Sequence, residues 1–235
     1  MSGPATSVVT PYLIDRAATM CARRLRLTFQ GQKGTQGMFA RGRVRDPLVL
    51  AARTAHADMA APGVDAFPTP VDLLPEECAV FDGAAAHYVG LFASEPLRAV
   101  DHEPFLERTE SDRDDLSIGG WIDLVGERPD GRLELRQFEL WGRRPDADPL
   151  SNPTILLAAL RIRKALRPET LAVRHADLVH GRVAGSEVEL TRAGALGTLF
   201  HQRVARIRLR VKEAQAEPGG DCVTCPFPAG CPGLG

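Results

Sequence analysis

The hydrophobic period of this chain changes once, near residue 99, and that change limits what it can fold into. Up to that point apolar residues recur at helical spacing, as with Leu13, Ala17, Leu25 and Phe29 in PYLIDRAATMCARRLRLTF. A second helical stretch covers 42–61, its start expected near Pro47 because proline suits a first helical turn. A proline-rich linker leads to a third over 71–94. Beyond residue 99, AVDHEPFLERT, LSIGGWIDLVGE and GRLELRQFELWG alternate as strands do, the last two joined by the turn signal RPDG. NPTILLAALRIRKALR returns to helix with a proline near its start. LAVRHADLVHG and SEVELT read as two short strands, and 192–215 as a long final helix. This order predicts an α/β domain with a central mixed sheet flanked by helices. At 235 residues the chain supplies one core, and a second full domain would be tight. The whole chain is therefore read as one domain, with a helical part over 11–95, a sheet core over 99–190, and a final helix with a Cys-rich tail over 191–235.

Composition narrows the class without naming partners. Apolar content of 44% and charged content of 25% belong to an ordinary folded protein rather than a disordered one. The net charge is −1, so any anion-binding surface has to come from local segregation of charge. No run approaches the roughly 18 apolar residues of a membrane span. The start, MSGPATSVVT, lacks the basic and apolar regions of a signal peptide. A cytoplasmic protein with no membrane partner is expected. Cysteines stay reduced there, and a cluster of them reads as metal ligands.

Three of the five cysteines form such a cluster: Cys222, Cys225 and Cys231 in CVTCPFPAGC. A loop rich in Pro and Gly can bring three thiolates around one point, and tetrahedral metal chemistry asks for a fourth. Cys78 lies in an apolar helical run, where a thiol reads as a small buried hydrophobe. Cys21 is followed by arginines that offset thiolate charge, which makes it the expected fourth ligand. The count alone leaves zinc and an iron–sulfur cluster both open. Either would close about 200 residues of chain, worth on the order of 5 kcal/mol if it acts as a disulfide does.

A cysteine near the start followed by basic residues, a terminal Cys-x2-Cys-x5-Cys, and between them a Gly-x-Ile-Asp strand leading into Asp-Gly-Arg-Leu: this pattern resembles the RecB-like branch of the PD-(D/E)XK nucleases. It is most similar to the iron–sulfur members, such as CRISPR-associated RecB-like exonucleases and the nuclease domain of AddB. The resemblance covers nearly the whole chain. It implies a restriction-endonuclease-like core closed by a 4Fe-4S cluster on Cys21, Cys222, Cys225 and Cys231, with zinc as the alternative.

It also implies an acidic metal ligand at Asp123, in GWID, and an Asp-x-Lys pair on the next strand. Matching DGRLELRQFE puts Gln137 at the acidic position and Glu139 at the lysine position, two apart and so on one face of a strand. Upstream, GRVRD has Asp46 where the family often has histidine. PTILL has Pro153 and Leu157 in place of the family's Gln and Tyr. Cutting in this family is thought to use magnesium or manganese held by carboxylates, with a lysine assisting. Here a neutral amide replaces a carboxylate and a carboxylate replaces the ammonium. In a slipped register, Glu139 is the acidic residue and Trp141 takes the lysine position. Asp123 and Glu139 could still hold a cation, and an active metal-dependent exonuclease using that pair is the competing expectation. Only Lys33, Lys164 and Lys212 are lysines, and Lys164 lies about 16 Å along the helix from Pro153, too far to assist.

The basic residues suggest what such a fold retains. Arg203, Arg206 and Arg210 recur at helical spacing in HQRVARIRLRVK, with no acid between His201 and Lys212. RIRKALR follows the altered strand, and Arg23, Arg24 and Arg26 adjoin Cys21. Each run can be a solvated face, yet by the resemblance they flank a DNA channel, where guanidinium groups neutralise phosphates without reading sequence. Trp121 and Trp141 are candidates for base stacking, core packing being the plainer role. The expected function is DNA binding, to single-stranded or end-containing DNA, with weak or lost cutting, as a subunit beside a helicase or a CRISPR or defence effector. An iron–sulfur module unrelated to DNA is the third class, and it leaves the arginine helices unexplained.

Overall fold

Residues of the stretch LELRQFE pack in opposite directions, Leu135 into one apolar cluster and Phe138 into another. Such alternation is what a strand between two layers of helix requires. The computed structural model describes residues 7–9, 21, 39–100, 105–106, 116–118, 120–140, 144–145 and 147–213. The predicted first helix and the Cys-rich tail lie outside these, apart from Cys21.

Two helices come first: α1 (Phe39–Ala55) and α2 (Pro75–Phe92). Helix α1 does not start near Pro47 as expected; Pro47 lies inside it. Val44, Leu48 and Ala52, spaced by four, are all buried against α2 and the sheet, and that packed stripe carries the helix through the missing N–H. The carbonyl that loses its partner belongs to Arg43, on the exposed face. Helix α2 opens on Pro75, and Glu77 Oε2 accepts from Leu74 N at 2.9 Å.

The strands are β1 (Ser7–Val9), β2 (Arg98–Ala99), β3 (Phe105–Leu106), β4 (Leu116–Ile118), β5 (Gly120–Trp121), β6 (Leu124–Glu127), β7 (Leu133–Glu139), β8 (Thr170–Asp177) and β9 (Arg182–Glu189). The central sheet runs β2-β6-β7-β8-β9, parallel between β7 and β8 and antiparallel elsewhere. Pairs β1–β4 (parallel) and β3–β5 (antiparallel) stand apart. The first two predicted strands pair with each other antiparallel in two short ladders, β2 with β6 and β3 with β5, while β4 pairs with β1 and the second strand breaks at Ile122 and Asp123. The RPDG turn forms as predicted, with Gly131 at φ +78° closing the β6–β7 hairpin.

Helix α3 (Pro153–Leu166) is the crossover between β7 and β8, and α4 (Leu190–Glu213) closes the described chain. Asn152 caps α3, its Oδ1 accepting from Thr154 N and Ile155 N. Helices α1 and α2 cover one face of the sheet through Leu124, Phe138 and Ala176. Helices α3 and α4 cover the other through Val125, Leu135, Leu171 and Val173. The expected mixed sheet flanked by helices is present. Among the described residues no helix is long and apolar enough to cross a membrane.

Candidate functional site

The break between β5 and β6 turns Asp123 inward, where its carboxylate is 1% exposed. Oδ2 accepts from Gln137 Nε2 at 2.6 Å and from the backbone N–H of Phe138 at 2.7 Å. Oδ1 accepts from Arg45 Nε at 3.0 Å and is ion-paired with Arg45 Nη2 at 2.7 Å. A carboxylate has about four acceptor positions, and here three hydrogen bonds and the Arg45 ion pair face them. Helix α1 also holds the backbone of this break, two turns beyond Arg45: Arg53 donates to the carbonyls of Asp123 at 3.0 Å and Ile122 at 3.2 Å. Burial pushes the Asp123 carboxyl up from its ordinary range, while Arg45, the Phe138 amide and Arg53 pull it back.

The sequence reading placed Asp123 and Gln137 together, and they are in contact. Glu139 ends β7 half-buried, in register with Asp177, as Gln137 is with His175. Asp177 is committed to the β8–β9 turn, accepting from Val179 N, His180 N and His180 Nδ1. Asp46 is exposed on α1, Pro153 opens α3, and Leu157 packs against the core. Lys164 lies in the last turn of α3, as the spacing predicted.

Does this arrangement fit a divalent cation? Magnesium needs oxygen ligands with charge among them. Both oxygens of Asp123 face N–H donors, and the charge that balances the carboxylate is the Arg45 guanidinium. Gln137 Oε1 is buried with no hydrogen bond from the described residues, but one neutral oxygen is a poor substitute for a carboxylate. A cation at Asp123 would have to displace Arg45, so the donor set does not fit it. Among the described residues no group of three or more His, Cys, Asp or Glu is placed to hold a metal ion.

Arg45 was missed, although it stands within the GRVRD segment that drew attention to Asp46. Its spacing of eight from Arg53 was a usable signal, since residues two turns apart share a helix face. A second group was missed on the opposite face of β7. Arg136 is 1% exposed and reaches Glu134 Oε1 at 2.7 Å, His56 Nε2 at 3.0 Å, Tyr88 Oη at 3.2 Å and the Glu95 carbonyl at 3.2 Å, with Phe92 below its guanidinium. The His56 ring donates from Nδ1 to the Ala60 carbonyl, so its Nε2 is the acceptor for Arg136 and the imidazole is neutral. Burial, then Arg136, lowers its pKa from 6.5 to about 4. This network ties α1 and α2 to β7.

The remaining candidates are only partly within the described residues. Cys21 is half-buried, while Cys222, Cys225 and Cys231 lie outside them. Cys78 is half-buried in α2, its thiol 3.7 Å from the Leu73 carbonyl. Arg23, Arg24, Arg26 and Trp141 lie outside the described residues, and Trp121 contributes backbone to β5. Positions 203, 206 and 210 fall on one face of α4, and Arg206 is exposed. The sequence matches no protein-family model and no curated protein.

Proposed function

We propose that this chain is a DNA-binding protein of the RecB-like nuclease fold that has given up cutting, with a 4Fe-4S cluster on Cys21, Cys222, Cys225 and Cys231, and that it serves as a subunit of a DNA-processing or defence complex. The observation that carries the loss of cutting is the carboxylate of Asp123. Where the resemblance asks for a metal ion, this carboxylate faces Arg45, and where it asks for a second acid, Gln137 donates an amide proton. A guanidinium is a permanent cation that can hydrogen-bond a phosphate but does not turn a bound water into a nucleophile as a metal ion does. The mixed sheet with helices on both faces is compatible with the expected core. Four cysteines suit an iron–sulfur cluster chemically. Arginines at one face of α4 suit binding to phosphates rather than to bases.

The test is binding to labelled single-stranded DNA with and without chelator. Binding that persists in chelator and weakens steeply with salt is expected. No binding at low salt would reject DNA as the ligand and leave the structural iron–sulfur module as the better reading.

A further inference from the structure

At the end of α3 away from its cap, Leu160, Arg163, Lys164 and Arg167 line an open pocket of about 380 Å³. Three of these four residues are cations, and all three are exposed. Among the described residues none of the three forms an ion pair. Other exposed arginines do: Arg192 holds Asp148 at 2.5 Å, and Arg132 holds Asp130 at 2.6 Å. The backbone shapes the pocket. Arg167 stands at the helix end in the left-handed conformation, φ 53°, its N–H donating to the Arg163 carbonyl at 3.1 Å. Helix α4 approaches through glycines: a Cβ on Gly194 would lie 2.4 Å from Arg163 Nη1, and one on Gly197 would lie 3.1 Å from Leu160 Cδ1. The Arg163 guanidinium therefore lies against bare α4 backbone at Gly194 and would have to shift for a larger residue there. Cations in a last turn also complement the helix dipole, but that needs no shared concavity.

We infer that this pocket binds phosphate groups, the anions that two arginines and a lysine lining one cavity suit best. The inference rests on the DNA reading for the source of those groups, the sugar–phosphate backbone of a single strand. It adds a contact point separate from Asp123, toward the opposite end of the crossover helix. A free phosphorylated molecule presents the same chemistry.

The experiment compares the full chain with the variant Arg163→Ala/Lys164→Ala/Arg167→Ala, titrating each with a labelled oligodeoxynucleotide over a salt series and with inorganic tripolyphosphate. Circular dichroism checks that both fold. Three contacts on single-stranded DNA contribute about 2 to the slope of log K against log salt, so the variant should show a slope flatter by that amount and binding weaker by at least tenfold at low salt. Arg163→Lys/Arg167→Lys should keep most of the binding. Equal slopes for wild type and variant would overturn the pocket while leaving DNA binding intact. Tripolyphosphate binding that the variant loses, with no DNA binding by either protein, would uphold the pocket for a free ligand and reject the DNA reading. No binding of either ligand to wild type overturns the pocket.

Discussion

The guanidinium of Arg45 meets the carboxylate of Asp123 across 78 residues of chain, Nη2 standing 2.7 Å from Oδ1. A buried carboxylate whose cation is removed is left with its desolvation cost uncompensated. Arg45→Ala should therefore lower stability by about 3–5 kcal/mol, measured by urea unfolding at neutral pH. Asp123→Asn in that background should recover a large part of the loss, and the double-mutant cycle measures the coupling.

Arg136 offers a second test of the same rule, on the other face of β7. Its guanidinium faces Glu134, with the rings of His56 and Tyr88 and the carbonyl and carboxylate of Glu95 around it. Arg136→Met keeps the volume and takes away the nearest cation of the buried Glu134, leaving it Arg128 and Arg174 at 3.9 Å, so a loss of about 3 kcal/mol is expected. Arg136→Met/Glu134→Gln should be closer to wild type than Arg136→Met alone. Urea midpoints of the three proteins decide it.

His56 gives the fold a pH dependence whose sign follows from its environment. The unfolded chain takes up a proton near pH 6.5, and the folded chain resists it until about pH 4. The stability this supplies is complete above pH 6.5 and is lost as pH falls toward 4, up to about 3 kcal/mol. Urea midpoints between pH 7.5 and 4 should fall accordingly, and His56→Gln should flatten that part of the curve.

Much of the architecture was legible because local chemistry and tertiary packing agree. The Arg128–Gly131 turn and the Asn152–Pro153 start of α3 follow from turn and helix signals in the chain. Pro47 misled because proline argues for a helix start, while the buried stripe of Val44, Leu48 and Ala52 extends the helix on both sides of it. Strand β7 misled more deeply. Alternating polar residues in LELRQFE suggested a half-buried face, yet Glu134, Arg136 and Gln137 are all buried, since helices cover both sides. Each polar group there answers a partner, Arg136 meeting Glu134 on its own strand and His56 from beyond α1, and Gln137 meeting Asp123. Strand period shows which residues share a face and is silent about what the next layer presents. Asp123 was found through its motif, and Arg45 was not, because its role depends on where α1 crosses the break before β6.

The cysteine frame makes a compositional prediction. Purified without oxygen, the protein should carry about four iron and four sulfide per chain with the broad visible absorbance of a 4Fe-4S cluster. Cys222→Ser should lose both, and Cys78→Ser should keep them. One zinc per chain and no sulfide would replace the cluster with the alternative centre.

The occupied carboxylate of Asp123 is tested most directly by incubating labelled single-stranded DNA with the purified protein in magnesium and in manganese, scoring cleavage for wild type and Asp123→Ala side by side. With Arg45 on one oxygen and Gln137 on the other, no metal-dependent product should form from either protein. Cleavage by wild type that requires the metal and disappears in Asp123→Ala would contradict it.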